Sequence, residues 1–110
     1  MANHHDGRWI VFFVGRADVG HRLARFGGEE FILLLPSTGL SEAQVVAEKL
    51  RRSVQALSVV RPTKQSLGVT ITLGVAQLTE DVPNLEALIE RADKALYEGK
   101  AKGRNCWVSA

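Results

Sequence analysis

Apolar residues along this 110-residue chain switch between the spacing of β-strands and the spacing of α-helices. A continuous β-rich run at residues 9–14 predicts a strand buried on both faces. "GRADVG", residues 15–20, is expected to end that strand. Two short runs, 23–26 and 31–35, flank residues 27–30 and predict an antiparallel hairpin.

Two later segments carry apolar residues on one helical face. The first spans about residues 41–57, where Ser41 and Gln44 have the spacing of a capping box. The second is expected to have Asn84 as its N-cap and to end at Gly99. Both segments are long enough to pack one face against a sheet.

The order of elements predicts an α+β fold, with an antiparallel-rich mixed sheet and helices on one face, close to ferredoxin-like. Residues 69–75 alternate as a half-buried strand, and residues 106–108 predict a last short one. With 45% apolar residues the chain can bury one core, so residues 9–110 are assigned to one domain. Residues 1–8 are polar and expected to be loose.

Charge and cysteine content exclude several classes of protein. The chain has 14 basic and 12 acidic residues and no basic arm, so charge does not predict a nucleic-acid partner. The single Cys106 cannot form an internal disulfide and is interpreted as a small buried hydrophobe in a reducing compartment. The apolar runs are strand-sized. These features predict a cytoplasmic chain without a membrane partner.

The predicted hairpin tip combines two glycines with two acids. Gly27 and Gly28 permit positive φ and would let a phosphate or a base approach the backbone. Glu29 and Glu30 follow each other in extended backbone, so they should point to opposite faces and not reach one metal ion together. Taken alone, the same residues also fit an ordinary solvated turn.

Three segments in order resemble the GGDEF family of diguanylate cyclases over about residues 22–108. They are "ARFGGEEFILLLPST", "VTITLGVAQL" and "LIERADKALYEGKAKGRN". The resemblance implies a fold like the palm of nucleotide cyclases. It also implies that two facing domains, each holding one GTP, condense two GTP molecules into cyclic di-GMP for bacterial signalling.

The resemblance also implies roles for individual residues. Glu29 is expected to be catalytic and to hold Mg²⁺ or Mn²⁺, and Glu30 is a second motif acid of lower rank. The two motif glycines would lie against the nucleotide. Lys100 and Arg104 match the pair that contacts phosphate, although by spacing alone they would also fit cations at a helix C-terminus.

Other polar and aromatic residues are interpreted structurally. Asp93 and Tyr97 lie four residues apart, and a contact that fixes the second helix is preferred to a catalytic role. Trp107 is interpreted as a buried aromatic beside the last strand and not as a base-stacking residue.

The chain departs from the family ahead of the hairpin, where only 26 residues precede Gly27. The family's Asp-x-Asp would fall on Trp9 and Val11, which cannot bind a metal; Asp18 is the nearest acid, but the alignment does not place it there. The family's inhibitory Arg-x-x-Asp is replaced at 18–21 by "DVGH", so feedback binding of cyclic di-GMP is not expected.

The shortened segment also removes the first helical layer, which should leave apolar surface open. We therefore expect a homodimer or a strand-exchanged assembly, with a protein partner or a sensory domain as a further possibility. Three hypotheses remain: an active cyclase completed by a second copy or by further chain, a degenerate member that binds GTP or a protein without turnover, and, last, a nucleic-acid reader using its sheet.

Overall fold

The computed structural model describes residues 8–19, 29–57, 59–60 and 66–110. Within these residues the chain forms five strands and two helices. In chain order they are β1 (Trp9–Val19), β2 (Glu30–Pro36), α1 (Leu40–Gln55), β3 (Val59–Val60), β4 (Ser66–Gln77), α2 (Leu85–Ala101) and β5 (Trp107–Ser109). The predicted strand at 23–26, Gly27 and Gly28 lie outside the described residues.

The strands form one mixed sheet in the order β2-β1-β4-β3, with β5 pairing to β4. The β1–β2, β1–β4 and β3–β4 pairs are antiparallel, and β5 runs parallel to β4. The prediction of an antiparallel-rich mixed sheet in an α+β fold is therefore confirmed. The observed strand order places β1 between β2 and β4, in the middle of the described sheet.

The two helices lie on opposite faces of this sheet, so the prediction of helices on one face is wrong. α1 packs through Ala43 against the face that carries Phe12, and α2 packs through Ala92 against the face that carries Val11. A Cβ on Gly74 would lie 2.0 Å from the Ala92 carbonyl oxygen, which shows how closely α2 approaches β4. Successive side chains of β1 point to opposite faces of the sheet, and those on both faces are apolar. Each face therefore has to be packed against a helix.

β1 and β4 are both longer than the apolar pattern predicts. Residues 15–19 were expected to break the first strand, but they continue the antiparallel ladder with β4 from Gly15↔Thr72 to Val19↔Gly68. The ladder bonds are made by the backbone, so the polar residues of this stretch do not interrupt it. The last strand is one residue from its predicted position.

Of the two predicted helix N-caps, the one for α2 is confirmed and the one for α1 is wrong. α1 begins after Gly39, whose N–H donates to the Glu42 carboxylate at 3.2 Å, and the predicted cap at Ser41 lies inside the helix. Asn84 caps α2 as predicted and accepts a hydrogen bond from its first turn at 2.9 Å. Gly99 does not end α2 but is buried within it. Neither described helix is long and apolar enough to cross a membrane.

β2 forms one edge of the described sheet and is apolar after its first residue, Glu30. Phe31, Ile32, Leu33 and Leu34 are 47%, 40%, 38% and 48% exposed. Successive residues of a strand point to opposite faces, so both faces of β2 are open. The expected open apolar surface is therefore present in the described part of the chain.

Candidate functional site

Three residues lie side by side across the sheet at the hairpin end of β2. Gly15 of β1 pairs with Glu30 of β2 and with Thr72 of β4, and we call these three residues the Gly15 row. The last turn of α2 covers this row. A Cβ on Gly15 would lie 3.2 Å from Lys100 Cε, and one on Gly99 would lie 2.7 Å from Thr72 Cγ2. The missing side chain at Gly15 makes room for Lys100.

Lys100 reaches across Gly15 to the first residue of β2. Its Nζ lies 2.5 Å from Glu30 Oε2, and both side chains are partly exposed. The structure thus brings together two residues that were predicted from the sequence motifs, Lys100 for substrate binding and Glu30 for catalysis. The ammonium is already held at the hairpin end of the sheet, where an anionic ligand would meet it.

Glu29 contacts a different partner. Its side chain is 80% exposed, and Oε1 lies 3.5 Å from Arg16 Nη1. Its backbone carbonyl also accepts a hydrogen bond from the Arg16 N–H at 3.0 Å. The two adjacent glutamates therefore face different neighbours, as strand alternation predicts, and Glu29 is the acid open to solvent.

Arg104 lies in the turn directly after α2. Gly103, Arg104 and Asn105 all have positive φ, at 118°, 66° and 51°. The Arg104 N–H donates to the Gly99 carbonyl at 3.0 Å, which folds the turn back on the end of α2. The Arg104 side chain is exposed. Lys100 and Arg104 therefore leave the same end of α2, next to the Gly15 row.

A polar network beside this turn was not predicted from the sequence. The Arg51 guanidinium donates two hydrogen bonds to Glu48, at 2.9 and 2.8 Å, and one to Asn105 Oδ1 at 3.1 Å. The half-buried Trp107 donates its indole N–H to Glu48 at 3.1 Å. The hydrogen bonds and charge of Arg51, with smaller effects from Trp107 and Arg52, lower the pKa of Glu48 from 4.5 to about 2, against the opposing effect of desolvation. Only the Glu48–Arg51 spacing gave a local signal for these contacts.

The described side chains do not form a divalent metal site. No group of three His, Cys, Asp or Glu residues with suitable geometry occurs in the described ranges. Val11 is fully buried in the core, and Trp9 lines a cavity remote from Glu29. Asp18 belongs to β1, but its side chain lies outside the description. Glu29 is therefore one ligand, where a divalent ion requires about six oxygens from protein, substrate or water.

The structure changes two interpretations that were made from the sequence. Asp93 and Tyr97 do not fix α2 to the part of the sheet that the structure describes, because both are exposed and Tyr97 is 74% exposed. Ala92 and Leu96, each one position earlier, occupy the buried face instead. Cys106 is only half-buried, with Sγ 3.5 Å from the Gly99 carbonyl oxygen.

An open cavity of about 710 Å³ lies at the other end of the sheet. It includes Trp9, six residues along β1 from Gly15 and thus about 20 Å away. Its walls are mostly apolar, and Glu80 is the one charged residue among those that line it. Such a cavity lacks the cations that a polyphosphate requires. The Gly15 row is therefore the better candidate for an anionic ligand.

Sequence comparisons show which proteins this chain resembles. The family model described as "Diguanylate cyclase, GGDEF domain" matches residues 14–106. Diguanylate cyclase A of Treponema denticola is 48% identical over 82 residues, which are 74% of this chain and 22% of that protein. Diguanylate cyclase DgcM of Escherichia coli is 41% identical over 115 aligned positions, covering 100% of this chain and 27% of that protein. The chain thus spans about a quarter of these relatives.

Solved structures share the fold. Diguanylate cyclase SiaD of Pseudomonas aeruginosa, in complex with its activator SiaC, has a TM-score of 0.77 and 28% identity over 98% of this chain and 52% of its own. The GGDEF domain of DgcB from Caulobacter crescentus, in complex with c-di-GMP, has a TM-score of 0.74 over 93% of this chain and 75% of its own. At 22% identity, DgcB supports the fold alone.

Proposed function

Because the chain belongs to the diguanylate cyclase family of GGDEF domains, we propose that it binds GTP beside the Gly15 row and that two facing copies condense two GTP into cyclic di-GMP. The observation that carries the proposal is the contact of Lys100 with Glu30 across Gly15. It holds a cation at the first residue of β2, and the preceding residue, Glu29, has a solvent-facing carboxylate. The relatives named as diguanylate cyclases are longer proteins, of which this chain spans about a quarter.

The proposed reaction joins two nucleotides. A ribose 3'-oxygen forms a bond to the α-phosphorus of the facing GTP, the bond from that phosphorus to the bridging oxygen breaks, and pyrophosphate leaves. A second such step closes the ring. Glu29 would accept the hydroxyl proton, Lys100 and Arg104 would bind the triphosphate, and Gly27 and Gly28 would let the nucleotide approach the backbone. Each copy holds one GTP, so the reaction needs two copies.

Mg²⁺ or Mn²⁺ remains a proposed cofactor. Glu29 would be its protein ligand, and phosphate oxygens would supply further ones. The described carboxylates do not complete such a site. We therefore assign no catalytic step to the ion.

A second candidate function is GTP binding or protein binding without turnover. It is favoured by Trp9 and Val11, which stand where the family resemblance expects aspartates. Val11 is 0% exposed in an apolar cluster, so a metal ligand cannot be supplied there. In this case the domain would act as a regulatory module within a longer protein.

Incubation with GTP and Mg²⁺, followed by chromatography for cyclic di-GMP, separates the two functions. We expect product from the unsubstituted chain and none from Glu29→Ala, whereas Glu90→Ala, an exposed acid on α2, should leave the yield unchanged. GTP binding without product would support the regulatory module. Absence of GTP binding would remove the cyclase and the GTP-binding module, and would leave protein binding without turnover as the remaining candidate.

The proposed partners are GTP, a second copy of the chain and an activating or sensory protein. The homodimer or strand-exchanged assembly is supported by the exposed apolar β2. SiaD, one of the structural neighbours, was solved with its activator SiaC. A cytoplasmic location fits a GTP-consuming domain, and no nucleic acid or membrane partner is proposed.

A further inference from the structure

The turn after α2 contains two non-glycine residues in left-handed backbone. Arg104 has φ 66° and Asn105 has φ 51°, directly after Gly103 at 118°. Asparagine tolerates this region, but for arginine it is unfavourable. Such a conformation persists only when surrounding contacts hold it. The contacts that hold this turn therefore determine where Arg104 is presented.

Two elements contact Asn105, and a third contacts the residue before it. Its N–H donates to Thr72 Oγ1 of β4 at 3.0 Å, and its Oδ1 accepts from Arg51 Nη1 of α1 at 3.1 Å. The preceding residue, Arg104, is bonded to Gly99 of α2. The backbone and the side chain of Asn105 are thus fixed by different elements.

The two hydrogen-bond partners of Asn105 are themselves held in place by burial or by further contacts. The Arg51 side chain is only 18% exposed and is held by two hydrogen bonds to Glu48. Thr72 is 2% exposed and belongs to the Gly15 row. The row also seats Lys100, so Thr72 fixes the turn relative to the strand residues that Lys100 covers.

We propose that Asn105 is a positioning residue that presents the Arg104 guanidinium to the triphosphate of GTP, beside Lys100. It acts through Arg104 and through its bonds to Thr72 and Arg51, and it does not contact the ligand itself. This inference rests on the proposed GTP site and identifies how that site obtains its second cation. One turn with strained backbone is held in place by hydrogen bonds from β4, α1 and α2.

Calorimetric titration with the α,β-methylene analogue of GTP tests the proposal, because that analogue cannot be cleaved between its α- and β-phosphates. Asn105→Gly tolerates positive φ but removes Oδ1, and we expect it to weaken binding about three- to tenfold. Asn105→Asp keeps an acceptor oxygen and should bind within about twofold of the unsubstituted chain. Guanosine, which lacks phosphate, should bind both variants equally.

A double-mutant cycle distinguishes positioning from general stability. In an Arg104→Ala background, Asn105→Gly should weaken binding of the analogue no further, because the group it positions is gone. Arg51→Met removes the donor that bonds to Asn105 Oδ1, so it should weaken binding of the analogue as Asn105→Gly does. If Asn105→Gly does not fold, the affinity of Arg51→Met tests the proposal in its place. Melting temperatures verify folding of each variant.

Two results would overturn the proposal while leaving the GTP site intact. One is unchanged affinity in folded Asn105→Gly and Arg51→Met, and the other is a full additional loss from Asn105→Gly when Arg104 is already alanine. Failure of the unsubstituted chain to bind the analogue would instead overturn the proposed function, and this inference with it.

Discussion

Glu48 links α1 to β5 by accepting hydrogen bonds from Arg51 and Trp107. Arg52 adds a second cation at 3.1 Å. These groups stabilise the ionised carboxylate, so its pKa falls to about 2 in the folded chain. The folded state therefore gains stability from Glu48 above its ordinary pKa of 4.5, and loses it as the pH falls toward 2.

Glu48→Gln should therefore lower the Tm at pH 7, and the difference from the unsubstituted chain should shrink as the pH falls from about 4.5 to about 2. Thermal unfolding followed by circular dichroism across this range measures both curves. Glu90→Gln, at an exposed position of α2, is the matched control and should show a small difference. A Glu48→Gln deficit that stays constant with pH would contradict the assigned electrostatic role.

The motif residues could be predicted from the sequence, whereas the residues that hold them in place could not. The sequence singled out Glu29, Glu30 and Lys100 because they stand in compact patterns. Asn105 contacts Thr72 and Arg51 across 33 and 54 residues of chain, respectively. Hydrogen bonds over such separations depend on how strands and helices pack, and they leave no spacing in the sequence that would predict them.

At the scale of elements, two glycines set the approach of α2 to the sheet in different ways. A Cβ on Gly74 would meet the Ala92 oxygen at 2.0 Å and the Leu96 nitrogen at 2.4 Å, both of which are helix backbone. A Cβ on Gly15 would meet the flexible end of Lys100 at 3.2 Å. The first contact requires a shift of the helix, and the second requires only a small movement of a side chain.

Gly74→Ala should lower the free energy of unfolding by about 3 kcal/mol, because α2 must move away from β4. Gly15→Ala should change it by less than about 1 kcal/mol. Urea unfolding at pH 7 compares the two variants. Equal losses would show that α2 does not pack on Gly74 as described.

The element pattern predicted most strands and helices but not their layering. Residues 9–14 are apolar at every position, which already requires a cover on both faces of β1. Helix amphipathicity gives the face that each helix buries, but it does not give the side of the sheet on which the helix lies. The continuation of β1 through residues 15–19 was also missed, because backbone pairing with β4 needs no apolar side chains.

At the scale of the whole molecule, β2 presents an apolar edge. We propose that a homodimer with twofold symmetry would pair two copies of this strand antiparallel about Leu33, which would place apolar side chains opposite each other.

Light scattering after size exclusion should show a dimer at about 100 µM, a concentration that detects micromolar association. Leu33→Lys should shift it to monomer by placing a charge at the centre of the edge. Val45→Lys on α1, at a position 56% exposed, is the matched control and should remain dimeric. A monomer from the unsubstituted chain would contradict assembly through β2.

The central claim is that Lys100, seated on the Gly15 row, binds the triphosphate of GTP. Titration with the α,β-methylene analogue of GTP, with Mg²⁺ present, tests it most directly. Loss of a charged phosphate contact should weaken binding by Lys100→Met about tenfold or more, whereas Lys94→Met, at an exposed position of the same helix, should bind as the unsubstituted chain does. Equal affinities of the Lys100→Met and Lys94→Met variants would contradict the account.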